Sequence, residues 1–164
     1  RKGVDLLIEA FSSILEEGHD AHLTFMGHGD LEVKIQSRIK NEQRDKITFL
    51  GFRDWHELHE VYAKHDVLVA PSRYDGWGLV VIEGLAAGMP VIATASMGAA
   101  LDFINHGKNG WIIPIENRDC LVAALRTALT APLCEMSRAA REAVEVWTLE
   151  KAAERWCDLA DAAL

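Results

Sequence analysis

The chain has 164 residues, 49% of them hydrophobic and 26% charged, with a formal net charge of −8. That length suits one domain spanning residues 1–164, and that composition excludes a disordered chain. The acidic balance excludes nucleic acid as the main partner, since that role calls for a basic face, but a phosphate can still be held locally by backbone amides and one lysine.

Arg1-Lys2-Gly3 leads into a segment, Val4 to Glu17, in which Leu6, Leu7, Ala10, Phe11, Ile14 and Leu15 recur at helical spacing before Gly18 ends the run. Ala21 to Met26 alternates as a strand does. Gly27 and Gly29 follow, and then a polar helix to about Lys40. A G-x-G after a strand is part of a dinucleotide fingerprint, but the third glycine is missing, and a tight strand-to-helix turn is the simpler reading. Lys46 to Leu50 reads as a short strand ending in Gly51-Phe52-Arg53. The helix Trp55 to Lys64 presents Leu58, Val61, Tyr62 and also Trp55 to the core. His56 and His59 share a face of it with no third ligand nearby, so they read as surface histidines rather than a metal set.

A strand, Asp66 to Ala70, then introduces the stretch around which the chain is organised: a turn-rich loop (Pro71 to Gly78), an apolar helix (Leu79 to Ala87) stopped by Gly88 and Pro90, and a strand (Val91 to Thr94). This is the repeating unit of a parallel sheet. Residues 84–101 carry no charge and are as long as a membrane span, but three glycines, a proline, Ser96 and Thr94 divide them into helix, turn and strand, which excludes a transmembrane reading. Downstream, Asn105 to Pro114 is a turn-rich lead into a strand. Arg118 to Leu129, Met136 to Val146 and Leu149 to Ala163 read as helices, the last capped by Thr148 and carrying Trp156, Leu159 and Ala163 on one side. Cys120, Cys134 and Cys157 are odd in number and widely spaced, so neither a disulfide framework nor a zinc site is expected, and a reducing cytoplasm fits.

The central loop has the parts of an anion site. Gly76 and Gly78 lack a Cβ, so backbone can approach a ligand and adopt positive φ. The amides of Gly78, Leu79 and Val80 open the helix without helical partners, and with the positive end of its dipole they favour a phosphate. Asp75 sits just before the two glycines. Glu83 lies one turn into the helix among Val80, Val81, Ile82 and Leu85, with its side chain leaning back toward the helix start. An acid in apolar sequence needs a partner, and from spacing alone a ligand and a neighbouring cation are equally open choices.

Pro71-Ser72, Asp75, Gly76-Trp77-Gly78, Glu83 and Ala86-Ala87-Gly88-Met89-Pro90-Val91 together resemble the signature of glycosyltransferase family four, the group one glycosyltransferases: an acid, seven residues and a Glu, set in P-S-x-x-E-G-F-G-L-x-x-x-E-A-x-A-x-G-x-P-V. The family usually has Glu where this chain has Asp75, which keeps the charge and shortens the reach by one methylene. Trp77 replaces Phe. The resemblance implies that Asp75 meets hydroxyls of a donor sugar, that the backbone of Gly76, Trp77, Gly78, Leu79 and Val80 meets the diphosphate, and that Glu83 accepts from the ribose hydroxyls. It also implies that Lys2, in a K-G before the first helix, lies on the donor phosphates. Gly27 and Gly29 match a G-x-G-x-L near the donor, and the backbone at Arg53 matches the loop that receives the base. Ser96 to Ile104 matches the family's G-G-x-x-E-h-h only in part, with Ala99 for the second glycine and Asp102 for the acid.

The resemblance implies an α/β fold with a doubly wound, mostly parallel Rossmann-like sheet, the C-terminal half of a GT-B glycosyltransferase. The activity implied is that of a retaining hexosyltransferase-type enzyme, with Asp75 and Lys2 at the reacting end, moving a sugar from a UDP- or GDP-sugar to an acceptor hydroxyl. No D-x-D pair occurs, so no metal and no cofactor is expected and the helix end takes the cation's place. The family's N-terminal acceptor domain and first strand are not in this sequence, and no signal peptide is visible. The native chain is therefore expected to continue upstream of Arg1, and residues 1–164 alone to bind donor weakly and transfer nothing. A cytoplasmic protein is expected, any peripheral contact with the inner face of a membrane being made through the absent domain, in surface-polysaccharide or glycolipid assembly. The alternatives are a sugar-nucleotide epimerase of the same architecture, a nicotinamide-binding domain (which needs the complete glycine fingerprint) and a pure interaction domain, which has no need of Glu83.

Overall fold

Five parallel strands in two sheets carry the chain, and the alternation along each strand decides which helices cover which face. The computed structural model describes residues 1–162. In chain order the elements are α1 (Val4–Glu16), β1 (Leu23–Met26), α2 (Glu32–Gln36), β2 (Ile47–Gly51), α3 (Leu58–Tyr62), β3 (Leu68–Ala70), α4 (Leu79–Ala86), β4 (Val91–Thr94), α5 (Gly98–Phe103), β5 (Gly110–Ile113), α6 (Arg118–Ala128), α7 (Leu133–Val144) and α8 (Leu149–Ala162). Strand β1 pairs with β2, and β3, β4 and β5 form a second sheet in that order, every pairing parallel. This is the expected α/β, Rossmann-like arrangement. The sheet is divided in two because β1 and β3 share no ladder.

Strand β4 lies at the centre of the larger sheet, and Val91, Ile92, Ala93 and Thr94 are all fully buried. A strand buried on both faces needs the continuous apolar run this one has. Leu68, Ala70, Val91, Ala93 and Ile112 face one side, where they pack with Val81 and Leu85 of α4, Ala99, Ala100 and Phe103 of α5 and Ala140 and Val144 of α7. Val69, Ile92, Trp111 and Ile113 face the other, against Leu7, Ala10 and Ile14 of α1 and Leu121, Val122 and Ala124 of α6. The same α1 sends Ile8 and Phe11 to a third cluster with Ile35, Ile39, Ile47, Leu23 and Phe25, on the smaller sheet. Helices therefore cover both faces, the doubly wound arrangement that parallel strands require.

Four expectations from the sequence are corrected here. The polar helix after Gly29 is a single turn, Glu32–Gln36, because Ser37 turns its hydroxyl back to the Lys34 carbonyl (2.8 Å) and the chain leaves in a 3₁₀ segment at Asn41–Lys46. Trp55 to Lys64 breaks into a 3₁₀ turn, capped reciprocally by Asp54 and Glu57, and the short α3. That cap turns Trp55 outward, 72% exposed and with its ring tilted against His56, rather than into the core. Helix α7 starts at Leu133, earlier than the apolar spacing suggests, because Pro132 precedes its first turn with a fixed φ of −75°. In α8, Trp156 and Leu159 are 74% and 66% exposed; Ala163, read on the same side, falls outside the described residues. Thr148 does cap α8, its hydroxyl accepting from the Lys151 amide at 3.3 Å. No single helix among the described residues is long and apolar enough to cross a membrane.

Gly110 opposes Val91 in the β4–β5 ladder, and a Cβ there would stand 2.2 Å from the Val91 carbonyl oxygen. Backbone cannot step aside as a side-chain tip can. Gly110→Ala is expected to lower stability by about 1–3 kcal/mol, read as a fall in the denaturation midpoint at unchanged m-value.

Candidate functional site

The sequence-predicted residues fall into two groups: the turns after β1 and β2, which meet each other, and the loop after β3, which meets Lys2. The loop after β3 is built against the segment after β4. The Ser72 carbonyl accepts from the Thr94 hydroxyl (2.6 Å) and the Ser96 hydroxyl (2.8 Å), and Thr94 is fully buried. Asp75 bridges to Met97, and the Ala99 amide donates to the Trp77 carbonyl at 2.8 Å. Gly78 then enters α4 with φ +85°, and a Cβ on it would meet the Met97 methyl at 2.5 Å. Both the conformation and the space at this position require glycine. Gly76 differs: its φ is not positive, and nothing lies within 4 Å of where its Cβ would be. Its backbone faces open space, the condition for close approach by a ligand. The indole of Trp77 lies over Gly98 and meets Phe103 edge-on at 6.3 Å, which holds the loop down while leaving it 43% exposed.

Lys2 and Asp75 are 73 residues apart in sequence and form an ion pair of 2.6 Å. Lys2 is delivered by Gly3, which has φ +72° and would place a Cβ 2.0 Å from the Pro71 carbonyl oxygen. No other residue lets the start of α1 lie this close to the loop. The Lys2 ammonium holds the Asp75 carboxyl below its ordinary range, and the amides of Gly78 and Trp77 act in the same direction, so Asp75 faces the amide end of α4 as an anion. The lysine side chain is 54% exposed, and an exposed pair of this kind is worth about 0–1 kcal/mol. Either partner can be exchanged for a ligand group at little cost.

Glu83 stands on α4 with its Oε2 accepting from the Tyr62 hydroxyl at 2.9 Å. The sequence suggests Tyr62 only as a core residue, and periodicity gives no sign of this bond. Two further features escape sequence reading. Arg73, within the loop, donates Nη1 and Nη2 to the two carboxylate oxygens of Asp5 (2.8 and 3.0 Å) and Nε to Glu116 (2.5 Å), tying the loop to α1 and to the segment after β5. His28, between Gly27 and Gly29, accepts from the Phe52 amide at 3.2 Å. With the Gly27 amide donating to the Gly51 carbonyl at 2.7 Å, this brings the Gly27–Gly29 turn and the Gly51–Arg53 turn together. Gly27 takes φ +117°, while Gly29 does not need positive φ. Arg53 is half-buried and makes no side-chain hydrogen bond or ion pair among the described residues. No three His, Cys, Asp or Glu side chains among the described residues are grouped to hold a metal ion.

Comparison with known proteins points one way. The family model for glycosyl transferases group 1 matches residues 1–147. An uncharacterized glycosyltransferase of Methanocaldococcus jannaschii is 38% identical over 116 residues, covering 70% of this chain and 29% of its own length. A GDP-mannose-dependent alpha-(1-6)-phosphatidylinositol dimannoside mannosyltransferase of Mycobacterium tuberculosis is 31% identical over 154 residues, 93% of this chain and 39% of that protein. Among solved structures, a mutant of TarM from S. aureus in complex with fondaparinux, alpha-GlcNAc-glycerol and UDP superposes with a TM-score of 0.85 at 25% identity, over 96% of this chain and 32% of that one. The chain thus spans well under half the length of these relatives.

The Arg73 guanidinium holds the Asp5 carboxyl down at about 2, against an ordinary 3.8. A carboxyl depressed in the folded state stabilises above its unfolded value and loses that contribution as pH falls through the folded one. Wild type is therefore expected to lose stability between about pH 4 and pH 2 more steeply than Asp5→Asn. At pH 6 the variant should be less stable by about 1 kcal/mol, the linkage value discounted for partial exposure. Denaturant titrations from pH 2 to 6 check both.

Proposed function

The chain belongs to the group 1 glycosyl transferases, and from that membership we propose that it is the donor-binding half of a retaining, metal-independent sugar transferase with a nucleoside diphosphate sugar as its donor. The observation that carries this reading is the meeting of Lys2 and Asp75 at the amide end of α4, with Glu83 one turn along the same helix. The names of two relatives point to the same ligand class: one is called GDP-mannose-dependent and the other was solved with UDP. A sugar-nucleotide epimerase is not favoured by any of the matches.

In this reading the diphosphate lies across the amides of Gly78, Leu79 and Val80, and Lys2 leaves Asp75 for a phosphate oxygen. These donors are fixed before the ligand arrives and act where negative charge builds as the glycosidic bond to the diphosphate breaks. Asp75 accepts from hydroxyls of the sugar and turns its anomeric carbon toward the acceptor. Glu83 accepts from the ribose hydroxyls. The base lies against the Gly51–Arg53 turn, which His28 joins to the Gly27–Gly29 turn, and is read mainly by the backbone at Arg53. The acceptor hydroxyl comes from outside residues 1–164.

A calorimetric titration of UDP, GDP and ADP tests the reading. One nucleotide is expected to bind, with affinity unchanged by EDTA and lowered about 10–100-fold in Glu83→Gln, the worth of hydrogen bonds to a charged group. Asp75→Asn is expected to leave nucleotide affinity near wild type and to cost transfer rate in the full-length protein. Binding that EDTA abolishes would overturn the metal-independent part. Full affinity in Glu83→Gln would overturn the ribose assignment.

A further inference from the structure

We propose that Tyr62 is a positioning residue for nucleotide recognition: its hydroxyl holds the Glu83 carboxylate in the orientation that reads a ribose. The inference rests on the ribose role given to Glu83 above and extends it to a residue that lies outside the signature, on a different helix.

Three observations carry it. Glu83 is exposed on the second turn of α4, where a glutamate with three free torsions would otherwise sample many directions. The bond from Tyr62, 2.9 Å to Oε2, is the one side-chain hydrogen bond to Glu83 among the described residues, so it alone selects among those directions. Tyr62 is itself rigid: it lies on α3 and is only 8% exposed, so its hydroxyl has a fixed place from which to donate. Burial first, and then the Glu83 carboxylate, push the phenol well above its ordinary range. It thus remains a donor at every pH at which the protein works.

The consequence is a division of the carboxylate. A carboxylate has about four acceptor positions on two oxygens. Tyr62 occupies Oε2 and leaves Oε1 for an incoming diol. A carboxylate fixed before binding loses no torsional freedom when the ligand arrives, and that is the usual route by which a supporting residue raises affinity without touching the ligand. A purely structural Tyr62 would affect stability alone. A positioning Tyr62 affects the difference between ribose and deoxyribose.

The experiment is a titration of wild type, Tyr62→Phe, Glu83→Gln, Glu83→Asp and the Tyr62→Phe/Glu83→Gln double variant with UDP and GDP, each also as its 2′-deoxy and 3′-deoxy form. Tyr62→Phe is expected to weaken the ribonucleotide about fivefold to tenfold and the deoxy forms much less, which narrows the discrimination. The double variant is expected to bind no more weakly than Glu83→Gln alone, since the hydroxyl acts only through the carboxylate. Glu83→Asp keeps the charge but withdraws it from Tyr62, and should narrow the discrimination in the same way even if Tyr62→Phe folds poorly. Unchanged discrimination in Tyr62→Phe and Glu83→Asp, with Glu83→Gln impaired, would overturn the role of Tyr62 and leave that of Glu83 standing. Equal affinity of wild type for the ribo and deoxy forms would overturn the reading of Glu83 itself, and the role of Tyr62 with it.

Discussion

Helix α1 packs on two sheets that share no ladder, and the geometry of the site depends on that packing. Leu7, Ala10 and Ile14 are committed to the larger sheet, and Ile8 and Phe11 to the smaller. Residues three and four apart on a helix lie side by side, so neighbouring stripes of one helix set the distance between the two groups of strands. That distance sets how far the Gly27–Gly29 and Gly51–Arg53 turns stand from the loop after β3. The start of the same helix is fixed independently by the fit of Gly3 under the Pro71 carbonyl and by the Asp5–Arg73 pair. Lys2 arrives at Asp75 because these restraints agree.

In the proposed donor site a helix end, rather than a basic patch, receives the anion. The chain is acidic, and many of its cations are tied to carboxylates: Arg73 to Asp5 and Glu116, Lys46 to Asp20, Arg126 to Glu17, Arg38 to Glu9. Backbone amides carry no net charge and need no counterion when the ligand leaves, so they give an anion a place to sit without upsetting the balance elsewhere. One lysine, loosely held by one aspartate, supplies the remaining charge.

The sequence made much of this legible because the relevant signals are local. Helical apolar spacing placed α1, a continuous apolar run placed β4, the stop at Gly88 and Pro90 ended α4, and the P-S to G-x-P stretch marked the loop and helix that carry Asp75, Gly78 and Glu83. What stayed hidden depends on contacts between distant segments or on caps that override spacing. Tyr62 and Glu83 lie 21 residues apart on different helices, and no pattern joins a buried phenol to a particular acid. Arg73 reads as a loop cation until Asp5 and Glu116 are brought to it. Trp55 reads as a core residue until the Asp54–Glu57 cap turns it outward. Gly76 and Gly78 look alike in sequence, and only the methyl of Met97 tells which of them must be glycine.

The Arg73 contacts also bear on the order in which the protein assembles. They join segments 68 and 43 residues away, among them Glu116, the one described non-glycine residue held at positive φ (54°). Contacts across such separations form late, because the intervening chain must be ordered before closure is repaid. In a chain made from its N-terminus, Asp5 and Arg73 emerge well before Glu116, so the three-way junction cannot close until β5 has docked on β4. The last of the contacts that hold the loop carrying Asp75, Arg73 to Glu116, thus forms only once the larger sheet is complete.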